Sequence, residues 1–281
     1  MMALVLLQFF CYLAAFGLGS AFQSHDGIHR YNPPNGGDDR GALIFLHGMG
    51  DTASGWASLD HMLPSICPRL SSIEYIFPQA PVKAITLNGG ELVPAWFDIY
   101  DWPIDATSRD DVIGQLNAVC MLEDIVKSVE QEQGIPASRI VVGGFAQGGA
   151  IAMLASYFRK ERKQQPFAGC VCLSGWLPNS WNFPVNSHVA KMTPLLWTHG
   201  AFDGKILYQQ QALGVQRLMK EGIEVTTKTY PCAHESYNSQ EINDMAEFVE
   251  DALYPKVVLA EFVASVKYLF DEQDADNGKN P

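Results

Sequence analysis

The sequence is poor in charged residues, and basic residues are the minority among them. Charged residues make up 18% of the 281-residue chain, and 31 acidic against 19 basic residues give a formal net charge of −12. An acidic protein repels nucleic-acid phosphates unless it carries a basic patch. The densest basic run, RKERK at 159–163, contains its own glutamate and no aromatic residue, which indicates a solvated helix end. We therefore expect no nucleic-acid partner.

Cysteine is also scarce, and its spacing suits neither a zinc site nor a disulfide framework. Of six cysteines, one lies in the first 21 residues, and the odd number that remains leaves at least one thiol free. Cys170 and Cys172 lie in an apolar, strand-like run, where a free cysteine acts as a small core residue. No histidine stands near them at metal-ligand spacing. The sequence predicts no metal and no cofactor.

The first 21 residues lack charge altogether. They are almost continuously apolar and end in Gly19-Ser20-Ala21. Small residues after an apolar run are typical of a signal-peptidase site, so residues 1–21 are predicted to be a signal peptide that takes the chain into the secretory pathway. The alternative is an uncleaved anchor, because the run approaches the length of a membrane-spanning helix. The Ser-Ala-Phe junction ending at Phe22 also resembles the start of the bipartite plastid presequences of algae with secondary plastids.

Strand-like and helix-like patterns alternate along most of the chain. Residues 22–41, with paired prolines and glycines, are predicted to be a linker, and residues 42–255 a single domain. Buried strands are predicted at residues 42–46, 73–77, 140–142, 167–173, 195–197 and 225–230. Apolar residues at helical spacing predict helices at 112–129, 151–158 and 212–219. This alternation favours the α/β class, with a mostly parallel sheet covered by helices on both faces.

A further helical pattern follows Pro255 and gives way to a polar tail. We predict that residues 256–281 form an extra helix and tail, packed on the domain or pairing with a second subunit in a homodimer. The stretch has few lysines and arginines, which disfavours a helix lying on a membrane surface. Association with a membrane would then come from the N-terminus.

The strongest local signal is a turn framed by glycines after a buried strand. Residues 139–150 read RIVVGGFAQGGA, so a β-branched strand runs into Gly144 and Gly148 and then into a helix start of small residues. This is the backbone of a nucleophile elbow, in which glycine permits a tight strand-to-helix turn. The elbow consensus places the nucleophilic serine at the third position. This chain has Ala146 there.

The residues that accompany an elbow follow in the order used by α/β-hydrolases. Asp203 stands just past one predicted strand, and His234 just past the next, which gives the order nucleophile, acid, histidine. Upstream, LHGMGD at 46–51 follows the first predicted strand, where these enzymes place the second amide of the oxyanion hole. We interpret His47 in this loop as structural, and Asp98 as a buried, hydrogen-bonded structural acid.

Several separate stretches carry a wider resemblance. They are LIFLHGMGD at 43–51, GW at 55–56, FPQAPV at 77–82, PAWFDI at 94–99, GIPASRIVVGGFAQGGA at 134–150, LSGWLP at 173–178, HGAFD at 199–203 and the histidine at 234. Together they resemble the acyl-protein thioesterases and related carboxylesterases, also called the phospholipase/carboxylesterase family. The resemblance implies an α/β-hydrolase fold. It also implies Asp203 as the acid that orients His234, His234 as the base, and the backbone amides of Met49 and Gln147 as the oxyanion hole.

The resemblance implies hydrolysis of acyl thioesters or carboxylic esters, whether small molecules, S-acylated proteins or lysophospholipids. Two departures from the family pattern matter: Ala146 replaces serine, and Gly204-Lys205-Ile206 replaces a Pro-Val-Val-Pro-like run after the acid. A methyl group has neither a lone pair to attack with nor a proton to give. We therefore predict a hydrolase scaffold that is inactive or severely impaired. The alternative is a pseudoenzyme that binds acyl ligands or acylated proteins without cleaving them.

Overall fold

The computed structural model describes residues 28–31, 40–158, 165–179, 185, 188–234 and 239–255. Seven of its strands form one sheet in the order β1-β3-β2-β6-β7-β8-β9, and every neighbouring pair is parallel except β1 and β3. The strands are β1 (Ile28–Tyr31), β2 (Ala42–Leu46), β3 (Glu74–Pro78), β4 (Val82–Ile85), β5 (Glu91–Pro94), β6 (Ile140–Phe145), β7 (Gly169–Leu173), β8 (Leu195–Gly200) and β9 (Val225–Tyr230). Strands β4 and β5 pair with each other as a separate antiparallel hairpin.

Helices cover both faces of the sheet. They are α1 (Leu59–Ile66), α2 (Val112–Ser128), α3 (Gln147–Tyr157), α4 (Gln209–Lys220) and α5 (Ser239–Leu253). Successive strand residues face opposite sides, so Ile44 packs in the core beneath α2 and α3, whereas Leu43 and Phe45 pack in the core beneath α1 and α5. The central strands are buried on both sides for this reason. The predicted α/β class, with a mostly parallel sheet, is confirmed.

Cys170 and Cys172 occupy the core that the sequence predicted for them. Both are free, fully buried and on the same side of β7, facing α3. Burial raises the pKa of the Cys170 thiol to about 12. Both cysteines therefore pack as apolar side chains.

Two parts of the sequence interpretation are wrong or incomplete. The predicted linker at 22–41 contains β1, whose residues pair with β3 from Ile28 opposite Pro78 to Tyr31 opposite Tyr75. A short edge strand pairs with one neighbour only and does not require a run of apolar residues. The prolines and glycines that follow it therefore led to the prediction of a linker. Helix α5 was not predicted, although its buried apolar residues recur at helical spacing. They are Ile242, Met245, Ala246, Val249 and Leu253.

Two predicted segments lie outside the described residues. They are the signal peptide or anchor at 1–21 and the helix and tail at 256–281, the segment through which a homodimer was predicted. Among the helices of the described segments, none is both long and apolar enough to cross a bilayer.

Helix α5 is expected to contribute much of the stability of its face of the sheet. Met245 is fully buried between α5 and the strands. Met245→Ala should therefore lower the free energy of unfolding by about 2–4 kcal/mol. Urea denaturation measures the loss, and Glu247→Ala, on the exposed side of the same helix, should change it by less than about 0.5 kcal/mol. Equal losses in the two variants would contradict the packing of α5.

Candidate active site

The elbow forms where β6 ends and α3 begins. Ala146 lies between them with φ 50° and ψ −112°, a left-handed φ that residues with a side chain rarely adopt. Its N–H donates to the Leu173 carbonyl on β7 at 2.9 Å, and its own carbonyl accepts from the Ala150 N–H at 3.0 Å. The strained backbone is thus held at both ends. Residue 146 lies at the N-terminus of α3, at the carboxyl edge of the parallel strands.

Glycine is required on either side of this turn because backbones touch there. A Cβ added to Gly148 would lie 2.1 Å from the Leu46 carbonyl oxygen at the end of β2. A Cβ added to Gly144 would lie 2.4 Å from the Gly148 carbonyl carbon. No heavy atoms approach so closely without bonding, so any larger residue would push α3 away from the sheet. The glycines predicted to shape the elbow do so through this crossing.

Asp203 and His234 are brought together by β8 and β9. Asp203 follows the end of β8, His234 follows the end of β9, and His234 Nδ1 lies 2.7 Å from Asp203 Oδ2. The other carboxylate oxygen, Oδ1, accepts from the backbone N–H groups of Lys205 and Ile206, both at 2.9 Å. A carboxylate only accepts, so Nδ1 carries the proton in this pair. The second ring nitrogen, Nε2, is left as the basic one.

The carboxylate of Asp203 is ionised. Burial by itself raises its pKa, but the contacts from His199 and His234, together with the Ile206 amide, outweigh burial and hold it well below the usual range. Both histidine contacts are made to Oδ2, His199 Nε2 lying 3.3 Å away. At neutral pH the charged carboxylate therefore accepts the His234 Nδ1–H hydrogen bond.

His47 holds the loop that follows β2. Its Nε2 accepts from the Ala80 backbone N–H at 3.0 Å, so its proton is on Nδ1, which donates to the Gly48 carbonyl at 2.7 Å. Burial lowers the pKa of His47 and keeps the ring neutral. The indole N–H of Trp96 donates to the His47 carbonyl at 2.8 Å. All these contacts are structural, as the sequence interpretation of His47 expected.

Met49 lies in this loop, next to the elbow. A Cβ added to Gly48 would lie 3.7 Å from the Ala146 Cβ, so the loop and the turn are in contact. The Gly50 N–H donates to the Pro94 carbonyl at 2.8 Å, which ties the loop to the end of β5. Across the described segments, the Met49 N–H donates to no protein acceptor.

Gln147 ties the start of α3 to the segment after β5. Its side-chain Oε1 accepts from the Trp96 N–H at 3.1 Å, and its Nε2 donates to the Phe97 carbonyl at 2.8 Å. The side chain is 1% exposed, so these bonds fix it. As for Met49, the Gln147 backbone N–H has no acceptor within the part of the chain that the structure describes.

Aromatic side chains form one wall beside His234. The Phe145 ring centroid lies 5.0 Å from the His234 ring and 5.4 Å from the Trp56 ring. A half-open cavity of about 270 Å³ adjoins this wall. It is lined by Asp51, Gly55, Trp56, Ser58, Leu59, Met62, Phe145 and Ile242. The other tryptophans near the site, Trp96 and Trp176, are core residues, 1% and 3% exposed.

Two interpretations of single residues need comment. Asp98 is hydrogen-bonded to Thr86, as expected of a structural acid, but it is half-buried rather than buried. His199, four residues before Asp203, was not singled out, although its spacing in HGAFD places it within reach of the acid. In the described segments, no three His, Cys, Asp or Glu side chains are arranged to hold a metal ion.

Comparison with protein families identifies the chain. Residues 34–253 match the family model described as phospholipase/carboxylesterase. The chain belongs to this family. Acyl-protein thioesterase 1 homolog 1 of Dictyostelium discoideum is 34% identical over 211 residues, which cover 75% of this chain and 90% of that relative. Acyl-protein thioesterase 1 of Mycosarcoma maydis is 33% identical over 234 residues, covering 79% and 95%.

Solved structures of the family agree with the fold. Arabidopsis thaliana SOBER1 superposes with a TM-score of 0.69 at 27% identity, covering 76% of this chain and 99% of that one. Zea mays acyl-protein thioesterase 2 gives a TM-score of 0.67 at 26% identity, covering 80% and 98%. The predicted α/β-hydrolase fold and acyl-protein thioesterase or carboxylesterase-like scaffold are therefore confirmed.

The prediction that an N-terminal signal takes the chain into the secretory pathway is wrong. The relatives it matches are acyl-protein thioesterases, covered over 90–95% of their length by 75–79% of this chain, and the family match begins at residue 34. The prediction depended on residues 1–21, which lie outside this match. An apolar run ending in small residues is a compositional signal, and here it misled.

The backbone crossing at Gly148 predicts a large effect from one methyl group. Gly148→Ala should lower the free energy of unfolding by at least about 3 kcal/mol, because the Leu46 carbonyl cannot move without disturbing β2. Gly204→Ala is the control, since a Cβ there meets nothing within 4 Å, and it should change stability by less than about 0.5 kcal/mol. Chemical denaturation of both variants tests this. A tolerated alanine at 148 would contradict the close crossing.

Asp203 should stabilise the fold in a pH-dependent way. Its pKa is lower in the folded chain than the value near 3.9 of an unfolded one. The stabilisation is therefore complete above about pH 4 and is lost as the pH falls through the folded-state pKa. Asp203→Asn should lower the free energy of unfolding by about 2–3 kcal/mol at pH 7. The difference in unfolding free energy between the variant and the parent chain should become smaller below pH 4. Asp101→Asn, at an exposed aspartate, controls for the lost charge; a gap that widens on acidification would contradict the assignment.

Proposed function

We propose that this chain has the site of an ester and thioester hydrolase of its family in every part except the nucleophile, and that its turnover is absent or severely impaired. In this proposal Asp203 orients His234, His234 is the base, and the amides of Met49 and Gln147 are the oxyanion hole. Ala146 stands at the nucleophile position. The observation that carries the proposal is the strained backbone of Ala146 beside a hydrogen-bonded Asp203–His234 pair.

Backbone strain at Ala146 supports the assignment of the nucleophile position. A non-glycine residue at positive φ costs on the order of 1–3 kcal/mol and persists only where its surroundings impose it. Such outliers cluster at active sites, and in a nucleophile elbow this conformation exposes the side chain at the helix N-terminus. An alanine gains nothing from that exposure. The backbone conformation of this turn is the one that presents a serine hydroxyl in a nucleophile elbow, and alanine has no hydroxyl.

Loss of the nucleophile removes nearly all turnover in enzymes of this type. In the subtilisin series it cost about a millionfold in kcat, with roughly a thousandfold over water remaining from the oxyanion hole and binding. Neither nearby candidate replaces the missing oxygen: Cys172 is fully buried within β7, where burial raises the pKa of its thiol, and Ser174 stands in LSGWLP without the glycines of an elbow. We therefore expect at most slow hydrolysis by water that His234 activates directly.

The substrate class of the scaffold is acyl thioesters and carboxylic esters. The names of the curated relatives, acyl-protein thioesterase 1, support S-acylated proteins as one form of it. Small acyl esters and lysophospholipids are further forms that share the same acyl carbonyl. No cofactor is needed, because every step would use side chains and backbone amides.

A second function, binding of acyl ligands without cleavage, is favoured by a different observation. The two amides proposed for the oxyanion hole and the cavity beside Trp56 and Phe145 do not depend on the missing oxygen. A carbonyl oxygen would accept from these amides whether or not residue 146 attacks it. An acyl-binding pseudoenzyme is therefore the alternative to an inactivated hydrolase.

Restoring the oxygen tests the proposal. Ala146→Ser should hydrolyse p-nitrophenyl octanoate with a burst, at least about a thousandfold faster than the parent chain, because it supplies the atom that attacks the carbonyl. Release of p-nitrophenol is the measurement. Ala150→Ser, which adds a serine one turn further along α3, and the double change Ala146→Ser with His234→Ala are the controls.

Each outcome decides between the functions. A burst that requires both the serine at 146 and His234 supports the assignment of all the parts. If neither the parent chain nor Ala146→Ser hydrolyses the ester, but both bind acyl ligands, the pseudoenzyme is favoured. Appreciable hydrolysis by the parent chain that survives His234→Ala would contradict the proposed site.

A further inference from the structure

A second histidine, His199, contacts the acid of the site. It lies near the end of β8 and is 0% exposed. Its Nε2 is 2.9 Å from the Ile206 carbonyl oxygen and 3.3 Å from Asp203 Oδ2. Its other ring nitrogen, Nδ1, is buried and has no hydrogen-bond partner among the described residues. The ring of Tyr208 packs edge-on, 6.1 Å away between centroids.

These contacts determine where His199 carries its proton. Both groups near Nε2, a carbonyl oxygen and a carboxylate oxygen, only accept hydrogen bonds, so Nε2 bears the proton. Nδ1 has no acceptor beside it among the described residues. The contacts therefore place the ring proton of His199 on Nε2. The carbonyl is its principal acceptor, with the Asp203 carboxylate at longer range.

The Ile206 peptide connects His199 to both oxygens of the acid. The Ile206 N–H donates to Asp203 Oδ1, while the carbonyl of the same residue accepts from His199, which also lies next to Oδ2. The turn from 203 to 206 is thus closed around the carboxylate from two sides. His234 Nδ1 then contacts the same oxygen, Oδ2, at 2.7 Å.

We propose that His199 is a positioning residue: its Nε2–H fixes the turn at 203–206 so that Asp203 Oδ2 faces His234. The inference rests on the proposed function only in assigning Asp203 and His234 as the acid and base. It does not require a nucleophile, so it can be tested in the chain as it stands, with Ala146 in place.

Two amide substitutions separate the two ring nitrogens of His199. His199→Gln places an N–H near the position of Nε2. His199→Asn places an N–H near the position of Nδ1, which has no hydrogen-bond acceptor beside it among the described residues. The readout is the exchange rate of the His234 Nδ1 proton, followed by NMR on the full Ala146 chain. We expect the rate to stay close to the parent's in the glutamine variant. In the asparagine variant it should rise at least about tenfold, because the acceptor of that proton is no longer held.

Stability alone cannot produce this pattern, since both substitutions place an amide in the same buried site. Thermal unfolding confirms that each variant is folded. If the asparagine variant does not fold, His199→Met removes the donor without burying an unpaired amide and takes its place. Equal exchange rates in the glutamine variant and in the donor-lacking variant would overturn the positioning role.

Turnover in the Ala146→Ser background gives a second readout. Loss of the Nε2 donor should lower kcat by about ten- to a hundredfold with little change in KM, since misplaced acid–base geometry affects the reaction more than binding. The glutamine variant should restore kcat, because it returns an N–H to the position of Nε2. If Ala146→Ser is inert but the exchange rates differ as expected, the proposed function fails and the role of His199 stands.

Discussion

The contact between the start of α3 and the end of β2 sets the geometry of the whole site. Gly148 has no room for a side chain because the Leu46 carbonyl lies against it. Leu46 is also the residue from which the loop carrying His47 and Met49 continues, so the same contact brings that loop to the elbow. The two amides proposed for the oxyanion hole therefore come from opposite sides of one backbone crossing. Moving α3 by the width of a methyl group would separate them.

The hydrogen-bonded pair of Asp203 and His234 depends on a different constraint, the turn that Asp203 itself closes. Asp203 accepts two backbone N–H groups from its own turn as well as the contacts of two histidines. The carboxylate therefore closes a loop of the fold besides facing His234. A buried carboxylate with this many donors is stabilising only while all of them are present. Asp203 therefore has a structural role in the fold that does not depend on the residue at position 146.

The sequence predicted the parts of the molecule that have a strong periodic or local signal. The central strands are buried on both faces and read as apolar runs, and the elbow is framed by glycines that only close backbone contacts require. The positions of Asp203 and His234 followed from the same logic, because parallel strands bring their carboxyl ends to one edge of the sheet.

What the sequence did not predict depends on single partners. Strand β1 needs only β3 beside it, so its residues carry no apolar run. His199 is buried by tertiary contacts, and although its spacing in HGAFD brings it within reach of Asp203, that spacing fits a histidine packed in the core equally well. The N-terminal apolar run failed for the opposite reason: it carries a strong compositional signal that the family relationship does not support.

Alanine at position 146 occupies a backbone conformation that does not depend on its side chain. The backbone there is fixed by the Leu173 carbonyl and by the Ala150 N–H, not by the side chain, so a serine would enter the same φ and ψ. It adds one oxygen to a Cβ that already lies next to the Gly48 loop. Glycine at this position would adopt the positive φ without strain, but it would have no Cβ at the place from which a serine hydroxyl would extend. Under the proposed function, Ala146 therefore lacks the attacking oxygen, while the backbone strain, the Asp203–His234 hydrogen bond and the proposed carbonyl-binding amides remain in place.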